Sequence, residues 1–475
     1  MPELPKTLYE RLARDLEALI REGTLPAGAR APSIRQLCRE RAASPASIVR
    51  AYELLEARGL IESRARSGFF VARSLPRVAA PVRAAGRPNR PAHVDVSELV
   101  FEILQSTRSR DTLPLGSAFP SPELFPLRQL GRHLAAVSRR FDPWSTVEDL
   151  PPGNLSLRTQ LAQRYRLMGA EVSADEIVIT AGALEALNLA LQVVTDPDDV
   201  VAIESPSFYG CLQAIESSGR RAVEIPTSPQ YGVDLPALER TLERVPVKAC
   251  WFMTTFQNPL GATMPSAQKE RLVRMLGARG IPLIEDNVYA ELYFSRQRPR
   301  ITKVWDRQGL VLDCGSFAKS LAPGYRLGWV AAGRFATDVW KRKVTTSIAT
   351  SMPIQAAISH YLTTGVYDRH LRQLRRALAA QQGLLVAALQ RHFPAGSKWL
   401  RPAGGYQLWV ELPRGVDALA LHARALDYGI SVAPGPMFSP RRQFHHAIRL
   451  NYGHPWNART ERAVVTLGKL ISGTI

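Results

Sequence analysis

The sequence predicts an α/β protein in two unequal parts: a small N-terminal unit of three helices and a β-hairpin, and a large body of alternating strands and helices. Three observations predict it. Helical periodicity broken by turn residues fills the first stretch of the chain, and a segment rich in Pro, Arg, Ala and Gly without periodicity follows at residues 74–91. From residue 112 onward, short apolar runs alternate with amphipathic segments, the pattern of a parallel sheet with crossover helices. At 475 residues the chain is too long for one core. The expected parts are a head at 5–73, a linker at 74–111 and a body at 112–472.

In the head, Leu8, Leu12, Leu16, Leu19 and Ile20 recur at helical spacing, with Gly23 as a stop. After the turn Pro26-Ala27-Gly28, Ser33 is placed to cap a second helix from Ile34 to Arg41. Ser44-Pro45 opens a third, which runs to about Arg58 and buries Ile48, Val49, Tyr52 and Leu55. Residues 60–63 and 69–71 read as two strands around the basic turn Arg64-Ala65-Arg66-Ser67-Gly68. Three helices and such a hairpin make a winged helix-turn-helix, whose third helix has the right length for a DNA major groove. Ser44, Ser47 and Arg50 are candidates for base edges, Arg35 for a phosphate, and Arg64 and Arg66 for wing contacts. Taken singly, each arginine reads more simply as a solvated surface charge.

In the body, residues 177–180, 200–204, 249–253, 282–285 and 310–313 read as buried strands. The chain turns helical near residue 345 and ends in a smaller α+β lobe containing residues 406–412 and 447–451. Open parallel sheets bind ligands at the carboxyl ends of their strands, and the distinctive residues fall there. Lys319 follows Gly315-Ser316-Phe317-Ala318 and precedes Pro323-Gly324-Tyr325-Arg326-Leu327-Gly328, which sets it on a short turn beside Ser316 and Arg326. A partly buried lysine near another cation has a lowered pKa and supplies the neutral amine that an imine requires. Asp286 ends a strand, Tyr289 lies three residues on, and Asn258 follows another strand in Gln257-Asn258-Pro259-Leu260-Gly261. Thr180-Ala181-Gly182-Ala183-Leu184 joins strand to helix, so the N–H groups of Ala183 and Leu184 can hold phosphate at the positive helix end. Phe208, in Glu204-Ser205-Pro206-Ser207-Phe208-Tyr209-Gly210, offers an aromatic plate. Each feature alone is as readily a turn or a core residue. Together they match what pyridoxal phosphate asks of a protein: a lysine, a carboxylate for the ring nitrogen, donors to the phenolate oxygen, a plate and a phosphate cup.

The stretch from Leu8-Tyr9 through Pro32-Ser33-Ile34-Arg35 and Ser47-Ile48-Val49-Arg50-Ala51-Tyr52 to Gly68-Phe69-Phe70-Val71 resembles the GntR family of winged helix-turn-helix proteins. Residues 112–472 resemble fold-type-I aminotransferases, above all in Ser316-Phe317-Ala318-Lys319 and Pro323-Gly324-Tyr325-Arg326-Leu327-Gly328. Their fusion is similar to the MocR family of bacterial regulators. The resemblance implies that Lys319 forms the imine with pyridoxal 5'-phosphate, Asp286 pairs with the ring nitrogen, and Asn258 and Tyr289 bond the phenolate oxygen. It also implies that Ser316 and Arg326 hold phosphate, that Phe208 stacks on the ring, and that Arg449, in Ile448-Arg449-Leu450-Asn451, takes the carboxylate of an amino-acid effector. The implied assembly is a homodimer, often head-to-tail, on a double-stranded DNA operator. The chain departs from its relatives at Phe208 and Ala318, where tyrosine and serine are usual, at Pro45-Ala46, and in lacking a tyrosine at 148–154.

A net charge of +19 favours polyanionic partners, and eight arginines face one acid, Glu62, between Arg58 and Arg90. Four scattered cysteines, Cys38, Cys211, Cys250 and Cys314, without a C-x-x-C pair, suit reduced thiols better than a metal or disulfide framework. No signal-like start and no apolar run of about 18 residues are visible, so a cytoplasmic protein without a membrane partner is expected. Two functions stay open: a regulator whose body senses pyridoxal phosphate or an amino-acid or amine effector, and a working aminotransferase with an accessory DNA-binding head. A third is a silent body that binds cofactor only to hold the dimer.

Overall fold

The computed structural model describes residues 8–22, 24–26, 28–41, 43–57, 60–64, 68–72, 90–106, 111–140, 142, 144 and 150–474. The chain divides into two compact units, residues 1–80 and 81–475. In the first, helices α1 (Leu8–Arg21), α2 (Ile34–Arg41) and α3 (Pro45–Ala57) precede the hairpin β1 (Ile61–Arg64) and β2 (Gly68–Val71). The hairpin is antiparallel, with Ile61 opposite Val71 and Arg64 opposite Gly68. Most of the expected apolar residues meet inside: Leu12, Leu16, Ile20, Leu37, Ile48, Tyr52, Leu55, Ile61 and Val71 are all buried in one cluster, whereas Leu8 is exposed and Val49 is only half-buried. Ser33 Oγ accepts from Gln36 N at 3.2 Å and Ser44 Oγ from Ser47 N at 3.2 Å, the caps that start α2 and α3. Tyr52 donates its hydroxyl to Pro32 O and so ties α3 to the turn before α2. The expected stop at Gly23 and the wing tip at 65–67 lie outside the described residues.

In the second unit, β3 (Ile177–Thr180), β4 (Val200–Ser205), β5 (Arg221–Ser228), β6 (Gly232–Val233), β7 (Val247–Phe252), β8 (Leu283–Asp286), β9 (Val311–Ser316) and β10 (Gly328–Ala331) form one sheet. Their spatial order is β3-β10-β9-β8-β7-β4-β5-β6. Every residue of β3, β4, β8 and β9 is buried, which explains why their apolar residues run together instead of alternating with polar ones. The sheet is mixed, not parallel throughout. The pairs β4·β5, β4·β7, β7·β8 and β8·β9 are parallel, whereas β10 is antiparallel to β3 and β9, and β6 is antiparallel to β5. The reason for β10 is its connection: residues 317–327 return from β9 without the crossover helix that a parallel neighbour needs.

The expected linker at 74–111 is corrected in its second half. Ala92 bridges Ala222 on β5, and helix α4 (Ser97–Ser106) sinks Val100 and Ile103 into the body's core beside Val94 and Val96. Glu216 caps this helix from a distance: its Oε2 accepts from Val96 N at 3.0 Å, Ser97 N at 3.1 Å and Ser97 Oγ at 3.0 Å. Glu216 itself lies on α6 (Tyr209–Ser217), which follows α5 (Ala183–Val194). The apolar face of residues 94–103 is what the Pro- and Arg-rich stretch before it lacks.

The smaller lobe is an antiparallel sheet of β11 (Lys398–Trp399), β12 (Gln407–Glu411), β13 (Ala433–Pro434) and β14 (Ala447–Asn451), in the order β11-β12-β14-β13. It shares a core with α7 (Val366–His392) and α8 (Ala458–Ser472), through Leu378, Leu385, Leu450 and Leu467. Cys211, Cys250 and Cys314 are buried, Cys38 is half-buried, and all four are free thiols. Among the described residues no helix is long and apolar enough to cross a membrane, and no group of three or more His, Cys, Asp or Glu could hold a metal.

Candidate functional site

Four neighbouring strands deliver the site. Ser205, Phe252, Asp286 and Ser316 end β4, β7, β8 and β9, and the loops beyond them carry Phe208, Asn258, Tyr289 and Lys319. The Lys319 ammonium donates to Ala118 O at 2.8 Å and lies 3.7 Å from the centre of the Phe119 ring. Burial pulls its pKa down to about 7; Asp286 opposes the change, while the like charges of Arg449 and Arg326 add to it. Asp286, at 2% exposure, is pushed the other way, up to about 7, again by burial. The N–H of Val288, at 3.4 Å from Oδ1, and Lys319 oppose that rise, and Asp313 adds to it. A carboxylate held this deep gains most from a protonated partner brought to it.

One side of the cleft is shaped for an anion. Gly182 (φ 86°) caps α5, and Ala183 and Leu184 open the helix. Arg326, in the left-handed region at φ 49°, donates from Nη2 to Ala181 O at 3.4 Å. A Cβ on Gly182 would lie 2.7 Å from that Nη2, and one on Gly328 would lie 2.5 Å from the carbonyl carbon of Gly182. The two glycines thus allow the loop, the guanidinium and a positive helix end to converge. Ser316 is bonded within the lysine loop. Its hydroxyl donates to Leu327 O at 3.1 Å and accepts from Ala318 N at 3.0 Å, so it braces the lysine loop.

On the other side Arg449, 1% exposed, rises from β14. It donates from Nη1 to Asn258 Oδ1 at 2.9 Å and from Nη2 to Gly116 O at 2.5 Å, and its buried Nε has no partner among the described residues. Phe438 lies 5.2 Å from the guanidinium. Burial lowers the pKa of Arg449, against Tyr209, Tyr289 and Tyr406. Among the described residues the titratable groups that favour this charged guanidinium are the three tyrosines, and a buried charge held mainly by neutral groups is costly. Gln407 Nε2 donates to Tyr289 OH at 2.9 Å, and the Tyr289 and Tyr406 rings meet edge-on at 5.4 Å. Phe208 sits at the start of α6 with its ring 4.7 Å from that of Tyr209.

Sequence reading did not single out Phe119, Tyr406, Gln407 or Asn451. Asn451 stands in the motif around Arg449, but its partners are backbone carbonyls of Ser117 and Phe119, which no local pattern marks.

In the head, Arg35 is exposed on the first turn of α2, and Arg50 is exposed on α3 with its guanidinium 6.0 Å from the Tyr9 ring centre. Ser44 and Ser47 are partly spent on each other, Oγ to Oγ at 3.0 Å, in capping α3. Arg64 ends β1, but its side chain, and all of Arg66, lie outside the described residues.

The sequence pattern of bacterial regulatory proteins of the gntR family matches residues 8–71, and that of aminotransferase class I and II matches residues 149–466. The chain is 46% identical to an uncharacterized HTH-type transcriptional regulator of Escherichia coli, YdcR, over 98% of both chains. It is 34% identical to a second from the same organism, YjiR, over 98% of this chain and 99% of that one. Among solved structures, the multiple substrate aminotransferase of Thermococcus profundus superposes with a TM-score of 0.74 at 28% identity, over 80% of this chain and 95% of its own. LysN, the α-aminoadipate aminotransferase of Thermus thermophilus, gives 0.73 at 29%, over 79% and 94%. Such a body implies pyridoxal phosphate and such a head implies DNA. The chain belongs to the MocR-type regulators, in which a GntR-family helix-turn-helix is joined to a body of the aminotransferase class I and II family.

Proposed function

We propose that this chain is a pyridoxal-phosphate-dependent, DNA-binding transcriptional regulator whose body senses the cofactor, or an amino-acid or amine effector that meets it. The observation that carries the reading is the convergence of Lys319, Asp286 and Arg449 in one cleft of a chain that also carries a helix-turn-helix. The residues fit the cofactor. Lys319 would take its aldehyde and Asp286 its ring nitrogen; Asn258 and Tyr289 would face the phenolate oxygen, and Phe208 the ring. Arg326 and the N–H groups of Ala183 and Leu184 would hold phosphate, with Ser316 bracing the loop or turning to join them. Bound there, the cofactor supplies a reactive aldehyde and an electron sink. The free Nε of Arg449 supports its role toward an effector carboxylate. LysN was solved complexed with N-(5'-phosphopyridoxyl)-L-leucine, which supports a cleft of this kind taking cofactor and amino acid together.

Arg35, Arg50, Arg64 and Arg66, with Ser44 and Ser47, would contact the operator, and a homodimer would pair two heads on two half-sites. Such a protein works in the cytoplasm. Replacing Lys319 with alanine is expected to abolish the visible band of the bound cofactor while far-UV circular dichroism stays native. A variant that keeps the band refutes the lysine assignment. The same residues also fit amino transfer, and likeness to two aminotransferases at 28% and 29% identity supports that second reading. Sustained turnover of an amino acid with a 2-oxo acid, without any change in DNA affinity, would favour it.

A further inference from the structure

We propose that residues 115–119 form a displaceable strap across the two cations of the cleft, and that Asn451 is the positioning residue that holds it there; this rests on Lys319 being the cofactor's lysine. The strap's two ends are fastened to the smaller lobe by backbone bonds. Leu113 N donates to Gly429 O at 2.7 Å, Asn451 N to Leu115 O at 2.7 Å, and Ser121 N to Gly453 O at 2.8 Å. Between these ends the fastening comes from side chains. Arg449 donates to Gly116 O at 2.5 Å, Lys319 and Tyr406 donate to Ala118 O at 2.8 and 2.9 Å, and Asn451 Nδ2 donates to Ser117 O at 3.0 Å and Phe119 O at 2.6 Å. The Asn451 amide is fully engaged, because its Oδ1 also accepts from Gly453 N at 2.6 Å. Gly116 lies so close to the lobe that a Cβ on it would come within 2.5 Å of the Val432 carbonyl carbon.

Three consequences follow from this geometry. The strap's carbonyls occupy donors of the two groups assigned to ligands, one carbonyl on Arg449 and another, two residues along, on Lys319. A neutral carbonyl is a weaker partner for a guanidinium than a carboxylate, whose charge-assisted bonds are about twice as strong, so a carboxylate at Arg449 displaces Gly116 O rather than the reverse. Because the carbonyls share one short stretch of backbone, lifting Gly116 also draws Ala118 O and the Phe119 ring away from the lysine. Both of those favour the charged ammonium, by hydrogen bonding and by the ring's negative face, whereas reaction with an aldehyde needs the neutral amine. Capture of a carboxylate is thereby coupled to release of Lys319. Arg449 and Asn451, two residues apart on β14, face the same side of the strand, which places the competitor's target next to the clamp.

The test uses the full chain freed of cofactor, and the variants Asn451→Ala and Asn451→Asp, both of which lose the two donations. Hydrogen–deuterium exchange reads the strap, and growth of the visible band after adding pyridoxal 5'-phosphate reads the capture rate. Both variants are expected to exchange faster across residues 115–119 and, at pH 6, where the ammonium form of Lys319 predominates, to capture cofactor about fivefold faster. Faster exchange with an unchanged capture rate would overturn the strap as a gate. Unchanged exchange would overturn Asn451 as its clamp, and an effect confined to Asn451→Asp would mark a charge effect on Arg449 and overturn it equally. The unsubstituted chain gives a measurement independent of mutant folding: sodium propionate in place of sodium chloride, at equal ionic strength, is expected to speed both readouts. No difference between the salts overturns the coupling. If no form gains a visible band, the cofactor reading falls and the strap with it; a normal band at one common rate sinks the strap alone.

Discussion

At the residue scale, Asp286 and Lys319 are displaced in opposite directions by the same burial, to values of about 7 from 3.8 and 10.5. The consequence for stability has a definite sign. Between its unfolded value and about 7, Asp286 holds a proton in the folded body that the unfolded chain releases, so its contribution falls as pH rises through that window. Lys319 acts in the window above: between about 7 and 10.5 the unfolded chain binds the extra proton, and stability rises with pH. Asp286→Asn removes the first effect. The cofactor-free variant is expected to melt above the wild type at pH 8, by the equivalent of up to a few kcal/mol, with the gap closing toward pH 4. The same variant is expected to hold pyridoxal phosphate more weakly, read from the visible band. A lower melting temperature at pH 8 would contradict the burial account. These residues were legible because each follows a strand inside a compact motif. Phe119, which lies against Lys319, and Tyr406, which shares Ala118 O with it, are not legible in the same way, since they come from segments far away in the chain that meet only in the folded body.

Elements tell a similar story. Strand β3 is found at the position its apolar run predicts, residues 177–180, because full burial leaves such a run few alternatives. Strand β10 is hard to read because Gly328-Trp329-Val330-Ala331 is short, begins with a glycine and follows directly on the loop of residues 323–327. Helix α4 is hard to read because a Pro- and Arg-rich stretch runs almost directly into it and because its cap is not local. Glu216 supplies the acceptor that an N-cap residue normally would. Glu216→Ala is therefore expected to cost about 1–2 kcal/mol and to raise hydrogen–deuterium exchange across residues 96–106. Unchanged exchange there would mean that the apolar face of Val100 and Ile103 alone holds the helix.

For the whole molecule, charge is distributed differently from what the arginine-rich stretch near the head suggests. Residues 1–80 carry 14 basic and 9 acidic side chains, so most of the excess of +19 belongs to residues 81–475. Attraction to a polyanion is thus a property of the entire chain, and DNA binding by the full protein should weaken steeply with salt. Family membership explains why head and body occur together, and the cleft residues explain what the body can recognise. The claim that joins them is that occupancy of the cleft changes the affinity of the heads. It is tested most directly by titrating the purified, cofactor-loaded full chain with candidate amino acids and amines, recording the visible spectrum and operator affinity on the same samples. The account predicts that the band and the DNA affinity shift together at the same ligand concentration. A band that cycles between amino acid and 2-oxo acid while DNA affinity stays fixed would contradict it.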